Sequence, residues 1–203
     1  MRQRYFRFLL VLFIVSAPFP AFSQTSPAVQ GIRNLPFRVG AGYSNYGSDW
    51  SGRLGGPDVW IDMDLPKLPS WAGLQLEAEG RDLNYNRTGR DPKLRQYTFA
   101  GGVNYAWRYD PAFHPYVKFL AGVGNTSFSV LSPNFPNYTH DSRTFYAPGG
   151  GVEVRAAGRL WIRGNYEYRF WPDFFRHHTL TPHGFTVGMF YDFSKFALRQ
   201  YQP

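Results

Sequence analysis

Cysteine is absent from the 203 residues, which removes disulfide staples, thiolate nucleophiles and cysteine-ligated metal centres together. Long apolar runs are missing as well. The longest, Phe8 to Val15 (FLLVLFIV), has eight residues. As a helix it would span ~12 Å, far short of the ~30 Å hydrocarbon core of a bilayer. With a mean hydropathy of −0.38, a polytopic helical membrane protein is excluded. Acidic residues are scarce, 14 against 22 Lys and Arg, for a formal charge of +8. The length fits one domain, or at most two small ones.

Aromatic residues are abundant: 6 Trp, 14 Tyr and 19 Phe make up 19% of the chain, far above what a soluble core needs. With 21 Gly and 16 Pro, the composition also argues against long helices.

Residues 1–23 read as a secretory signal peptide. Arg2, Arg4 and Arg7 precede the apolar run, Pro18 and Pro20 follow it, and Ala21-Phe22-Ser23 supplies small residues for cleavage. No cysteine stands there for a lipid anchor. Removal would leave 19 basic and 14 acidic residues, a net charge of +5, on an exported chain. Residues 24–35 are expected to be a lead-in, 36–193 a folded domain and 194–203 a short tail.

Eight segments alternate with a period of two, the signature of strands with one apolar and one polar face. Phe37, Val39, Ala41 and Tyr43 oppose Arg38, Gly40, Gly42 and Ser44 in the first. Leu160, Ile162, Tyr166, Tyr168 and Phe170 oppose Arg163, Asn165, Glu167 and Arg169 in the seventh. Trp161 and Pro148 interrupt the alternation, and Pro148 is expected at a strand start or bulge. The connections alternate in length: 46–57, 84–93, 126–143 and 172–182 are long, while 66–71, 110–114 and 156–158 are short. An up-and-down meander whose two ends face different compartments has this pattern.

Periodicity alone leaves open which face is inside, because a secreted lipocalin-like binder has the same strand count with its apolar face inward. Two features decide. Glycines concentrate on the polar face (Gly40, Gly42, Gly102, Gly122 and Gly188 among them), where a narrow eight-strand lumen needs small side chains. The apolar face is crowded with aromatics that would overfill that lumen but suit a wall facing lipid. Aromatics near the strand ends, including Tyr43, Tyr97, Phe145 and Trp171 toward the long connections, form the expected interfacial girdles. The expected fold is all-β: an eight-stranded antiparallel up-and-down transmembrane β-barrel.

The last strand carries the most specific motif, Thr186-Val187-Gly188-Met189-Phe190-Tyr191-Asp192-Phe193. On it, and on the strand pattern over residues 36–193, the chain resembles the small eight-stranded outer-membrane barrels of the OmpA/OmpX type. The resemblance implies that Thr186, Gly188, Tyr191 and Phe193 form the signal read by the barrel-assembly machinery. It also implies a monomer in the outer membrane of a diderm bacterium, in contact with outer-membrane lipid and lipopolysaccharide. Here the signal is followed by a tail, Ser194 to Pro203, too short to be the peptidoglycan-binding domain that OmpA-type proteins often carry.

Candidate chemistry is thin. His177, His178, His183 and Asp173 crowd one long connection without the spacing of a rigid metal site. His140 and Ser142 with Glu153 match the His-x-Ser and Glu of the lipid A deacylase barrels that this chain also resembles, but Arg143 replaces the Asn after the Ser. No catalytic residue, cofactor or metal is assigned, and nucleic acid is not an expected partner of an exported barrel. The expected role is structural, in membrane integrity or surface contact, with a lipid A-modifying hydrolase as the alternative. Arg53, Arg87, Arg90, Lys93 and Arg143 in the long connections suit anionic lipopolysaccharide. Inside the barrel, Glu153 is expected between Lys118 and Arg163, with Glu77, Glu79, Arg155, Glu167 and Arg169 extending a charge network.

Overall fold

The structure is a computed structural model that describes residues 37–49, 52–65, 72–85, 94–128, 140–174 and 178–193. The signal peptide, lead-in and tail expected at 1–23, 24–35 and 194–203 lie outside the described residues, as do Arg87, Arg90, Lys93 and His177. Among the described residues there are ten strands: β1 Phe37–Gly47, β2 Arg53–Asp64, β3 Ala72–Tyr85, β4 Leu94–Trp107, β5 Phe113–Phe128, β6 His140–Ala157, β7 Leu160–Tyr168, β8 Trp171–Phe174, β9 His178–Leu180 and β10 His183–Asp192. Eight of them close an antiparallel barrel in the order β1-β10-β7-β6-β5-β4-β3-β2, and β8 and β9 form a separate two-stranded sheet. Closure leaves no barrel strand with an unpaired edge.

The two faces fall as the alternation requires. Val39, Tyr43, Val59, Phe99, Val123, Val187 and Met189 are exposed on the outer wall, while Arg38, Ser44, Asp62, Glu77, Lys118, Glu153, Arg163 and Glu167 are buried inside. A soluble barrel would have the reverse. Lumen glycines are required by close packing. A Cβ at Gly40 would overlap the Trp60 ring, and one at Gly188 would stand 2.6 Å from Trp60 Cη2.

Several boundaries differ from the hydropathy pattern. β1 and β2 continue outward until only residues 48–52 join them, closed by Ser48 donating to the Gly52 carbonyl with Gly52 at φ 95°. β5 and β6 likewise run on to Phe128 and back from His140. Above the apolar band the outward residues of β1 and β2, such as Asn45 and Arg53, are polar, while Tyr46, Leu54 and Leu83 turn inward and cluster, so the apolar-outward alternation breaks down while backbone pairing continues. At the opposite end β6 and β7 join through Gly158-Arg159, with Gly158 at φ 53°, a left-handed conformation that favours glycine.

Pro148 lies inside β6, not at a strand start or bulge. Tyr146 and Phe170 exchange both backbone hydrogen bonds, so two residues on, the Pro148 nitrogen faces Tyr168 of β7 with no hydrogen to give. The β6–β7 ladder accordingly starts at Gly149↔Glu167 and resumes only as the lone Tyr146↔Phe170 bridge. On its other side Pro148 sits opposite Phe119 of β5, at a position that asks for no donor.

The segment 172–182, expected as an open loop, holds the β8–β9 hairpin. It turns Trp171 into the barrel, fully buried and stacked on Phe145 at 5.0 Å and 18° between planes. Both rings were expected in the outer girdle. They form instead a lumen plug with Leu120, Ala147 and Leu180. Gly124 makes room for it, since a Cβ there would overlap the Trp171 ring.

Candidate functional site

The lumen concentrates the charged side chains. Alternation along β3 turns Glu77, Glu79 and Arg81 inward, β5 adds Lys118, β6 Glu153, and β7 with the residue after it Arg163, Glu167 and Arg169. Lys118 is the hub. Its Nζ lies 3.0 Å from Glu77, 2.8 Å from Glu79 and 2.9 Å from Glu167. An ammonium has three hydrogens to donate, and three carboxylates meet them. Glu167 also accepts from Arg81 (3.0 Å) and Arg169 (2.7 Å), and Glu79 from Arg81 (2.8 Å) and Arg169 (3.1 Å).

A second group lies toward the short turns. Arg163 donates to Glu153 at 2.6 Å, to Glu77 at 3.4 Å and to Asp62. Its guanidinium carbon also sits 5.1 Å from the Trp60 ring centre, 5.0 Å from Tyr116 and 5.3 Å from Phe190. Arg38 lies 3.6 Å from Glu153 and 3.9 Å from Asp192 near the inner mouth. Glu77 touches both Lys118 and Arg163, so the two groups form one network. Buried this deeply, the charges are tolerable because each lies beside one of opposite sign, most of them within hydrogen-bond distance.

The arrangement differs from the expected one in two respects. Glu153 does not bridge Lys118 and Arg163. The β5–β6 register sets Lys118 opposite Gly149 and Glu153 opposite His114, four residues lower on β5, or about 13 Å. Glu153 is instead the cross-strand partner of Arg163. Arg155 lies outside the network, donating to the Gly158 carbonyl at 2.8 Å with its guanidinium 5.9 Å from the Trp161 ring. Arg155 keeps the lumen parity, opposite the inward-facing Trp161, but it lies two residues beyond Glu153 toward the short turn, at the inner rim next to the register shift before Ala157. Sequence reasoning left out Arg38, Asp58, Asp62 and Arg81 as network members. Their signal was present, because all share the lumen parity of their strands.

Ser142 and His140 are exposed on the outer face of β6, and Asn125 donates to Ser142 Oγ at 2.8 Å. Glu153 is eleven residues further along the strand, about 36 Å away, and points into the lumen. Asp141 also faces inward and pairs with Arg143 at 3.1 Å. Neither acid lies where it could orient His140 for Ser142. Of the histidine group, His183 stacks on Tyr168 at 5.0 Å; among the described residues no three ligating side chains gather.

Along β10, Thr186 and Gly188 face the lumen while Tyr191 faces outward. Thr186 and Ser44 hydroxyls are 2.7 Å apart. Phe193 stacks on Phe37 at 4.8 Å and leans on Tyr191 at 4.7 Å, making an aromatic corner at the inner rim. If Thr186, Gly188, Tyr191 and Phe193 are the assembly signal that the resemblance implies, they are read before the barrel closes. Phe193→Ala and Tyr191→Ala are expected to lower the outer-membrane level more than Phe135→Ala in the 129–139 connection, measured by immunoblot of membrane fractions. Equal levels for all three would make the motif a coincidence.

A closed eight-stranded barrel with an apolar outer wall and a filled, charged interior is the architecture of small transmembrane barrels. The chain belongs to the outer membrane protein beta-barrel domain family, whose profile matches residues 8–193. It is therefore a bacterial outer-membrane barrel. Among solved structures it is similar to Ail, the attachment invasion locus protein of Yersinia pestis, in complex with the heparin analogue sucrose octasulfate, at 15% identity and a TM-score of 0.54 over 79% of this chain and 99% of that one. Neisserial surface protein A is similar at 10% identity and a TM-score of 0.58, covering 79% of this chain and 97% of the other. The outer membrane enzyme PagL is similar at 11% identity and a TM-score of 0.50, covering 75% and 98%. At such identities the likeness is one of fold. No curated protein matches the chain.

Proposed function

We propose that this barrel is a non-enzymatic envelope protein that acts through its outer wall and outer rim, in membrane integrity and surface contact. The observation that carries this reading is the filled lumen. Lys118, Arg163 and their carboxylates satisfy one another, and the Trp171–Phe145 stack lies across the outer end. An interior so occupied offers neither a water-filled path for solutes nor an uncommitted charge for chemistry. The outer rim is polar and rich in arginine: Arg53 donates to Asn45, and Arg95 and Arg143 pair with Asp82 and Asp141. That surface suits contact with anionic glycans, the chemistry of the sulfated heparin analogue bound by Ail. A lipid hydrolase would need an acid beside His140, and Glu153 lies on the other face of the strand.

Two measurements test the reading. Refolded protein in a planar bilayer is expected to show no stepwise conductance, and lipid A incubated with it should keep its mass. Porin-like steps would make it a channel, and release of a fatty acid would make it a hydrolase.

A further inference from the structure

At the inner mouth of the barrel one carboxylate oxygen has two claimants. Glu153 Oε1 is committed to Arg163, which donates to it at 2.6 Å from Nη2 and at 3.1 Å from Nε. Oε2 is not committed. Arg38 Nη1 stands 3.6 Å from it and His114 Nδ1 3.8 Å, both beyond hydrogen-bond length. All three atoms are buried and have no hydrogen-bond partner. Unmet buried polar atoms are costly, so two nitrogens compete for one oxygen.

The claimants come from opposite sides. His114 stacks on Trp161 at 4.5 Å and 28° between planes, and Trp161 on Phe190 at 6.0 Å and 6°, so the imidazole is held beside Glu153. Arg38 reaches across from β1, which β10 and β7 separate from β6, and so lies over the mouth as a bar. It also has neighbours nearer its own strand: Asp192, its cross-strand partner on β10, 3.9 Å from Nε, and Asp64 on β2, 3.8 Å from Nη2. Arg38 therefore has two arrangements, across to Glu153 or back against the wall. Deeper in, Tyr116 Oη, Gln75 Oε1 and Asn104 Oδ1 are buried without hydrogen-bond partners, a polar capacity that water or a small solute meets. Tyr116 is two residues past His114 on β5, about 7 Å further in. Beyond it the Lys118 network closes the lumen, so the space is a vestibule and not a path through.

The charges around the mouth are nearly matched. Asp64, Glu153 and Asp192 stand against Arg38, Arg108 and Arg155, and the adjoining turns add Asp110 and Arg159, one of each sign. Deeper, Arg163 on β7 holds Asp62 on β2 and Glu77 on β3. A positive charge on His114 thus finds no acid of its own and draws on Glu153. Neutral imidazole carries hydrogen on one nitrogen and imidazolium on both, so only the charged ring always donates from Nδ1. Histidine is the side chain whose charge ordinarily changes between pH 5 and 8.

We propose that Glu153 Oε2 is a proton-operated latch of the inner mouth. It holds Arg38 across the opening while His114 is neutral. When the ring takes a proton from water at the mouth, Oε2 passes to His114, Arg38 swings back to Asp192 and Asp64, and the vestibule opens. The latch goes beyond the envelope role above, and neither conductance nor lipid A mass bears on it.

Because the chain has no cysteine, one introduced thiol reports on the vestibule. Ala106→Cys places it on the lumen face of β4 opposite Tyr116. Tyr109→Cys, exposed just after β4, is the reference that cancels the effect of pH on the thiol itself. Refolded protein in micelles is treated with a small methanethiosulfonate, and labelling is followed by mass spectrometry. The ratio of the two labelling rates is expected to rise at least threefold from pH 8 to pH 5.5. Adding His114→Phe, which keeps a ring on Trp161, should hold the ratio low at both pH values, and adding Arg38→Gln should hold it high at both. His114→Gln replaces His114→Phe if that variant lacks the heat-dependent gel shift of a folded barrel. A second readout is fluorescence. Imidazolium quenches a stacked indole more than imidazole does, so acidification should dim Trp161 over the same range, and the dimming should vanish in His114→Phe and in Trp161→Phe alike. An unchanged ratio between the two pH values overturns the latch. So does a rise that survives the loss of His114, or labelling in the Arg38→Gln background as slow as with Arg38 at pH 8.

Discussion

Lys118→Met is expected to cost the barrel more stability than any other single change in the lumen. It would leave Glu77, Glu79 and Glu167 facing one another around an apolar side chain, each having lost a partner at 2.8 to 3.0 Å. Breaking one buried pair by removing a partner costs on the order of 3–5 kcal/mol, and here three carboxylates are affected. Arg81, Arg163 and Arg169 would absorb part of the loss, because each already touches one or two of those acids. Glu153→Ala should cost less. Arg163 would keep Asp62 and Glu77, leaving Arg38 the more exposed to the change. Asp141→Ala, near the outer rim, should change little. Urea midpoints of the refolded variants in vesicles give the order directly. Should Lys118→Met unfold with or after Glu153→Ala, Lys118 is not the hub. Glu167→Gln placed in the Lys118→Met background should recover part of the loss, since the two side chains share one pair.

Trp171→Ala is expected to be the most damaging apolar truncation. The ring is fully buried, stacked on Phe145 and seated over Gly124. Removing a buried Trp side chain typically costs ~3–5 kcal/mol through lost transfer energy and the cavity left behind. Phe170→Ala, one residue earlier on the exposed wall, removes an aromatic of similar size from lipid contact and should cost far less. Urea midpoints again decide, with near-ultraviolet circular dichroism reporting the lost Trp171–Phe145 stack. Gly124→Val should reproduce much of the Trp171→Ala loss, because its side chain needs the space the indole holds. Similar midpoints for Trp171→Ala and Phe170→Ala would mean that the plug contributes nothing to stability.

The eight barrel strands, the closed meander and the face toward lipid were legible in the order of residues. Alternation over Phe37–Ser44 or Leu160–Phe170 survives any tertiary detail, because successive strand side chains must point to opposite faces and only one face can meet hydrocarbon. Glycine on the polar face was legible for the same reason: positions such as Gly40 and Gly188 have no room for a Cβ beside Trp60. The lumen membership of Glu77, Lys118, Arg163 and Glu167 followed from parity alone. Their partners did not. Which acid meets which base depends on register and on reach across the barrel, and those place Lys118 among β3 and β7 carboxylates rather than beside Glu153. The outer ends of the strands were hidden because the apolar-outward pattern stops there: outward positions such as Asn45 and Arg53 are polar while Tyr46 and Leu54 turn inward, though pairing goes on. Trp171 and Phe145 were misread because an aromatic near a strand end looks alike in sequence whether it turns to lipid or into the barrel. Only the β8–β9 hairpin, which brings Leu180 back over the lumen, decides that Trp171 turns inward.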